Sequence, residues 1–291
     1  MCARHTLYNT PVRENAHAAS ALAAKRHRGE TRPTNEREGI MSLWNVLEQL
    51  KGCKAVDLTH PLTNESPYWG GMPDGVVDLC NTFFDYDQFP DILRCRIQTY
   101  KFPGQFGTHV DFPVHFEPGL ASSSDFGVAS MAYPLVVIDL TAKVAENVEY
   151  AITVDDILAF EAENGPIPEG SFVALRTDWY KRWPDNNALN NFDEEGGEHC
   201  PGWSLPALKF LYEERGIAMN GHETFDTDAS VEAAKAGDLA CERYVLTRGS
   251  LQLEAMANLD KVPATGAIIF VAWPHIEDAT GLPVRAVAVF E

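Results

Sequence analysis

The chain has 291 residues, 45% of them hydrophobic, and a formal net charge of −19. That length buries a full core in one large domain or two small ones. The negative surface repels phosphate backbones and argues against a nucleic-acid partner, and no apolar run approaches the roughly eighteen residues that a membrane span needs.

Residues 1–40 differ from the rest. Arg4, Arg13, Lys25, Arg26, Arg28, Arg32 and Arg37 are interspersed with Glu14, Glu30, Glu36 and Glu38, and large apolar residues are few. A secretory leader needs a continuous apolar stretch, and an organellar transit peptide is poor in acids. The segment is expected to be a disordered extension whose removal leaves folding intact, with Met41 a candidate natural start. The cysteines, Cys2, Cys53, Cys80, Cys95, Cys200 and Cys241, are irregularly spaced and form no C-x-x-C pair. Free thiols in a reducing, cytoplasmic setting are expected, rather than a disulfide framework or a zinc–thiolate site.

From Ser42 the patterning becomes structured, and residues 41–291 are expected to form the folded domain. Trp44, Leu47 and Leu50 recur at helical spacing up to Gly52. Ala55 to Leu58 reads as a buried strand, and His60 to Gly75 as a Pro- and Gly-rich loop. Arg94 to Tyr100 alternates as a strand does. Pro134 to Leu140 is a β-prone apolar run. Thr153 with Asp156 forms a capping box that opens a helix ending near Gly165. Ser171 to Thr177 and Gly216 to Gly221 are further strands, separated by a helix that Ser204 caps and that carries Leu208, Leu211 and Tyr212 on one face. Gly266 to Trp273 and Val284 to Phe290 are late strands. This alternation predicts an α/β domain. No repeat and no glycine-rich phosphate loop is present.

The chemistry concentrates in Gly104-Gln105-Phe106-Gly107-Thr108-His109-Val110-Asp111-Phe112-Pro113-Val114-His115. On a strand, residues two apart share a face, so His109 and Asp111 converge. Imidazole plus carboxylate suits a divalent cation with open positions. Gly107 permits a tight bend before the pair, and Pro113 fixes the chain after it. Taken alone, a His-x-Asp pair is more often a hydrogen-bonded couple than a metal site, and the spacing does not decide between them. His115 lies about 13 Å further along a regular strand, too far for the same ion, unless a bend at Pro113 returns it. Imidazole exchanges protons near neutral pH, so His115 is a candidate acid or base. His222 and Glu223 follow a predicted strand, where α/β sites cluster; a polar capping cluster with Asp226 and Asp228 is an equal reading. Trp69, Phe106 and Phe112 are candidates to line an aromatic substrate pocket, although such residues are more often core.

The segment resembles the signature of the cyclase family, His-x-Gly-Thr-His-x-Asp-x-Pro-x-His, a family that includes bacterial kynurenine formamidases and isatin hydrolases. Gly107, Thr108, His109, Asp111, Pro113 and His115 match in order and spacing. Asp57-Leu58-Thr59-His60-Pro61-Leu62 is similar to the family's opening strand and loop. Glu254 with Asn258-Leu259-Asp260, and Gly281 to Arg285, are similar to its later motifs. The resemblance spans about Val56 to Phe290. It implies a swivelling β/β/α domain, a homodimer or homotetramer, and a metal-dependent hydrolase. The cation, Mn²⁺ or Zn²⁺ with Mg²⁺ as a further candidate, activates water to open a small, often aromatic amide or lactone. The resemblance also implies ligand positions at Gln105, His109 and Asp111, with Glu242 and Glu254 at a second site; His115 and His222 are the candidate catalytic residues beside them. Two departures stand out: Gln105 and Glu242 occupy positions where the family has histidines. Both move the donor set toward oxygen, hence toward Mn²⁺ or Mg²⁺. The rival expectations are a catalytically silent small-molecule-binding or assembly protein on the same scaffold, and a metal-independent enzyme using His115 with Glu254.

Overall fold

The computed structural model describes residues 42–88 and 94–291; the expectation for residues 1–40 lies outside them. Residues Leu43–Glu291 pack as one compact unit. In chain order come α1 (Leu43–Gly52), β1 (Lys54–Asp57), β2 (Asp78–Phe84), β3 (Ile97–Lys101), β4 (His109–Asp111) and β5 (Ala132–Asp139). There follow α2 (Thr141–Glu146), α3 (Val154–Asn164), β6 (Phe172–Arg176), α4 (Asn186–Asn190), α5 (Leu205–Lys209) and β7 (Met219–Gly221). The chain closes with α6 (Ser230–Ala236), α7 (Ala240–Thr247), β8 (Leu251–Glu254), β9 (Ala267–Ala272), β10 (Gly281–Pro283) and β11 (Arg285–Phe290). No helix among the described residues is long and apolar enough to cross a membrane.

Among the described residues, nine strands form one sheet in the order β1-β11-β9-β5-β6-β7-β8-β4-β10, while β2 and β3 form a separate antiparallel pair. The centre, β5 to β8, is parallel, and both flanks are antiparallel. Strands β5 and β6 read as continuous apolar runs because both of their faces are covered, as parallel strands require. Val136, Ile138, Val173 and Leu175 pack against helix residues Ile157, Leu208, Leu211 and Val245. The opposite face sends Leu135, Val137, Phe172 and Ala174 into a second core. That core also holds Ile269 and Ala288 from one end of the sheet and Val110, Leu253 and Leu282 from the other. Both ends of the sheet therefore meet around one interior, and the sheet curls on itself.

Local signals explain most of the element ends. The Thr153–Asp156 capping box is formed, and Gly165 closes α3 with φ +86°. The Ser204 hydroxyl accepts from the Ala207 amide to start α5. The expected continuation to Gly216 is instead a π-type turn over Phe210–Glu214. The first helix forms as its spacing predicts but buries no residue, and Trp44 is 73% exposed. Described cysteines Cys53, Cys95, Cys200 and Cys241 are free.

Candidate metal centre

Strand β4 is three residues long, and all three are buried. Val110 enters the core, so pleating turns His109 and Asp111 to the other face. Antiparallel pairing sets His109 directly opposite Glu254 and Asp111 opposite Gln252 on β8. Cross-strand partners share a face at close range. One ligand atom each from His109, Asp111 and Glu254 thus lies within 4.8 Å of the others. The His109 Nε2 atom is 3.5 Å from Asp111 Oδ2 and 3.3 Å from Glu254 Oε2.

The tautomer of His109 is set from behind. Its Nδ1 lies 2.8 Å from the Gly107 carbonyl oxygen, which can only accept, so Nδ1 carries the proton in the neutral ring. Gly107 adopts φ +61° to place that carbonyl. The Nε2 lone pair then points toward two carboxylates, buried and without a hydrogen-bond partner. Three electron-rich donors cannot share such a site unless a proton or a cation sits among them. Burial disfavours charge on His109, but Asp111 and Glu254 overcome it and hold the imidazole well above its ordinary value. Burial likewise opposes charge on Asp111, and His109 outweighs it and lowers the carboxyl. The residues present therefore fit a divalent cation.

Amide side chains steady the carboxylates. Gln252 Nε2 donates to Asp111 Oδ2 at 3.3 Å and to Glu254 Oε1 at 3.0 Å. The Thr227 hydroxyl donates to Gln252 Oε1 at 2.7 Å, which turns the amide nitrogen toward the acids. Gln105 was expected as an oxygen ligand. Its amide nitrogen donates to Asp111 Oδ1 at 3.3 Å, so in this arrangement it supports a ligand from within the same cavity. Gly281, opposite Asp111 in β10, leaves room for both. A Cβ there would collide with the Gln105 amide and lie 2.9 Å from Asp111 Oδ1. Gly281→Ala should weaken Mn²⁺ binding by roughly 10- to 100-fold, the usual cost of disturbing a ligand's support. Calorimetric Mn²⁺ titration measures this, and unchanged affinity in a folded variant counts against it.

A cavity of about 260 Å³ opens onto the centre. Trp69, Met72, Phe116, Phe225 and Leu239 form apolar walls, and His115 and Glu242 share the polar end with the triad. Of the aromatic residues expected to line it, Trp69 does so. Phe106 and Phe112 do not: both are fully buried, with Phe112 packed on Trp273 and Phe126. Phe112 follows Asp111, so strand periodicity turns it into the core. His115 ends a 3₁₀ turn over Pro113–His115, the bend that brings it back to the cavity.

Glu242 stands at the N-terminus of α7, outside the three-donor group, with Oε1 4.0 Å from His115 Nε2. Of the expected ligands, it is the one carboxylate that stands apart from that group: the α7 backbone holds it on the cavity wall. Burial, together with Glu254, Asp111 and Asp226, pushes its carboxyl well above the ordinary range. His222 is buried behind Glu254, Nε2 to Oε1 3.5 Å, and does not line the cavity. Asp228 acts as the alternative reading supposed, but for a different helix: it accepts from the Cys241 and Glu242 amides at the start of α7. His60 stacks on Trp183 at 4.1 Å, away from the cavity, and burial lowers it to about 4.

Glu223 also lies apart from the cavity, accepting from the Thr177 amide and hydroxyl and the Trp179 amide. Burial nonetheless raises its carboxyl from 4.5 to about 7. The folded chain then binds more protons than the unfolded chain between those values. Stability falls as pH rises through that window, by at most about 1.4 kcal/mol per pH unit. Glu223→Gln keeps an acceptor and removes the titration, so urea unfolding at pH 5 and pH 7 should differ less than in the parent. Equal differences in the two proteins would refute the assignment.

Gln252, Thr227, Phe116 and Phe225 were not anticipated. The alternation of Gln252-Leu253-Glu254 was the available signal for the first, since it places two polar residues on one strand face.

The cyclase family model, described as "Putative cyclase", matches residues 56–229. The chain is 36% identical over 187 residues to the isatin hydrolase of Roseibium aggregatum, covering 63% of this chain and 70% of that protein. Isatin hydrolase A from Ralstonia solanacearum superposes with a TM-score of 0.77 at 30% identity, over 87% of this chain and 99% of its own. Isatin hydrolase A from Labrenzia aggregata, bound to benzyl benzoate, gives 0.75 at 31% identity, over 86% and 99%. The curled mixed sheet is therefore the fold of these proteins, as the resemblance implied. With the signature residues His109 and Asp111 and the distant Glu254 gathered by that sheet onto one point, the chain belongs to the cyclase family.

Proposed function

We propose that the protein is a metal-dependent hydrolase that opens the C–N or C–O bond of a small amide or cyclic ester. The observation that carries this reading is the buried, unpartnered Nε2 of His109 facing the Asp111 and Glu254 carboxylates. Its similarity to isatin hydrolases supports the same class. His109, Asp111 and Glu254 would hold the cation; one nitrogen and two carboxylates suit Mn²⁺ or Mg²⁺ better than Zn²⁺. When bound, the cation supplies Lewis acidity for the carbonyl and for water.

The chain's own groups do the rest. Gln252 and Gln105 hold Asp111 and Glu254 in place. Trp69, Phe116 and Phe225 seat an apolar ring and thin the water around it. His115 takes a proton from the attacking water and returns it to the departing nitrogen or oxygen. Water adds to the carbonyl carbon, the C–N or C–O bond breaks, and a carboxylic acid and an amine or alcohol result. Metal analysis of the purified protein, paired with hydrolysis of formamides, isatins and lactones with and without chelator, tests the reading. A stoichiometric divalent cation and chelator-sensitive hydrolysis are expected. Hydrolysis that survives chelation would establish a metal-independent enzyme, and neither metal nor turnover a silent scaffold.

A further inference from the structure

We propose that Gly71 sets the substrate preference of the cavity: lacking a Cβ, it gives the Trp69 indole its place, and the indole in that place seats a flat aromatic ring in preference to a puckered one. The word substrate rests on the hydrolase reading above; the binding preference does not.

Trp69 and Met72 both line the cavity. They are the first and last residues of one β-turn, in which the Met72 amide donates to the Trp69 carbonyl at 3.1 Å. Gly70 and Gly71 are its central residues. Neither has the left-handed φ that calls for glycine, so the backbone of the turn admits a side chain at both. Space does not. A Cβ on Gly71 would collide with Cη2, Cζ3 and Cζ2 of the Trp69 indole, and one on Gly70 would lie 2.6 Å from Cε2 of Phe192. The six-membered ring of Trp69 thus folds back onto its own turn and fills the volume that a side chain at Gly71 would take.

The turn is tied at both sides of this contact. The Tyr68 amide donates to Asn186 Oδ1 at 3.4 Å, at the start of α4. Phe192, which packs on Gly70, is itself held by a β-bridge to Glu198. A collision at Gly71 is therefore relieved by the indole, which turns about its two side-chain torsions and leaves the wall. The cavity, at about 260 Å³, is below the roughly 300–1,000 Å³ of pockets for drug-sized ligands, so it has room for one small ring compound. Trp69 carries the largest aromatic system of its walls, and such a system favours an aromatic ring by more than the area buried.

The test is calorimetric binding of benzamide and cyclohexanecarboxamide to the Mn²⁺-loaded protein, to Gly71→Ala, to Trp69→Ala and to the double variant, with cation content measured throughout. The parent should hold benzamide roughly 3- to 10-fold more tightly than the saturated amide, the range of an aromatic pair. Gly71→Ala and Trp69→Ala should each bring the two amides within about twofold and keep the cation, since neither residue belongs to the three-donor group. In the Trp69→Ala background the second substitution should change nothing further, because the ring it displaces is gone. Gly127→Ala, at an exposed glycine with φ −84° and nothing within 4 Å of its Cβ, should match the parent. A parent that binds neither amide or both equally, a preference that survives Gly71→Ala, or a further loss on adding Gly71→Ala to Trp69→Ala would overturn the proposal. So would loss of the cation in Gly71→Ala. Should Gly71→Ala fail to fold, the double variant decides: if it folds, the collision with the indole is upheld, and if it also fails, the glycine serves the turn and the proposal falls. A preference that holds in a protein that hydrolyses nothing would sink the hydrolase reading alone, and hydrolysis without the preference would sink this one alone.

Discussion

His109→Ala should abolish stoichiometric metal binding and hydrolysis together. The side chain supplies the sole nitrogen of the three-donor group, and its removal leaves Asp111 and Glu254 as two buried acids. Loss of a supporting group costs roughly 10- to 100-fold in metal affinity, and loss of a ligand should exceed that. Activity should fall in step at a fixed Mn²⁺ concentration and recover only in part at saturation. Elemental analysis after dialysis and a Mn²⁺ titration of turnover measure the two, with circular dichroism to confirm the fold. Full metal content in a folded His109→Ala protein would remove this residue from the centre. Glu254→Gln offers an independent check, since it retains the shape of the side chain and its position opposite His109 while losing the charge.

His115→Ala should separate what His109→Ala joins. His115 lines the cavity but does not belong to the three-donor group. Its removal should therefore leave cation content intact while kcat falls by roughly 10²- to 10⁴-fold, the usual worth of a positioned acid or base. One limb of the pH–rate profile should disappear. KM should change much less than kcat, because the apolar walls that seat the ring remain. Near-normal turnover by a metal-loaded His115→Ala protein would defeat the assignment. A loss of metal in parallel with activity would instead make His115 a ligand. Partial recovery of turnover with added imidazole would support proton transfer over a purely architectural role.

Several features of this protein were written locally and could be read from the chain. Strands β5 and β6 announce themselves as β-prone apolar runs because a parallel strand is covered on both faces. Helix α3 carries its own start and stop in Thr153, Asp156 and Gly165. The pairing of His109 with Asp111 follows from strand periodicity alone. That same periodicity excludes Phe112 from the cavity, since it sits one residue past Asp111 and must face the core.

What the tertiary structure decided is everything that depends on contacts between distant segments. Spacing within β4 gives two donors, whereas the third arrives because β8 pairs with β4 in the register that sets Glu254 against His109. The family resemblance implied that Gln105 and Glu242 stand in for histidines as ligands. The packing of β10 turns Gln105 into a support for Asp111, and the Asp228 cap holds Glu242 at the start of α7, on the cavity wall. Periodicity encodes which side of an element a side chain takes. The distance between side chains on different elements is set by sheet register and helix capping, and neither is a property of any one segment.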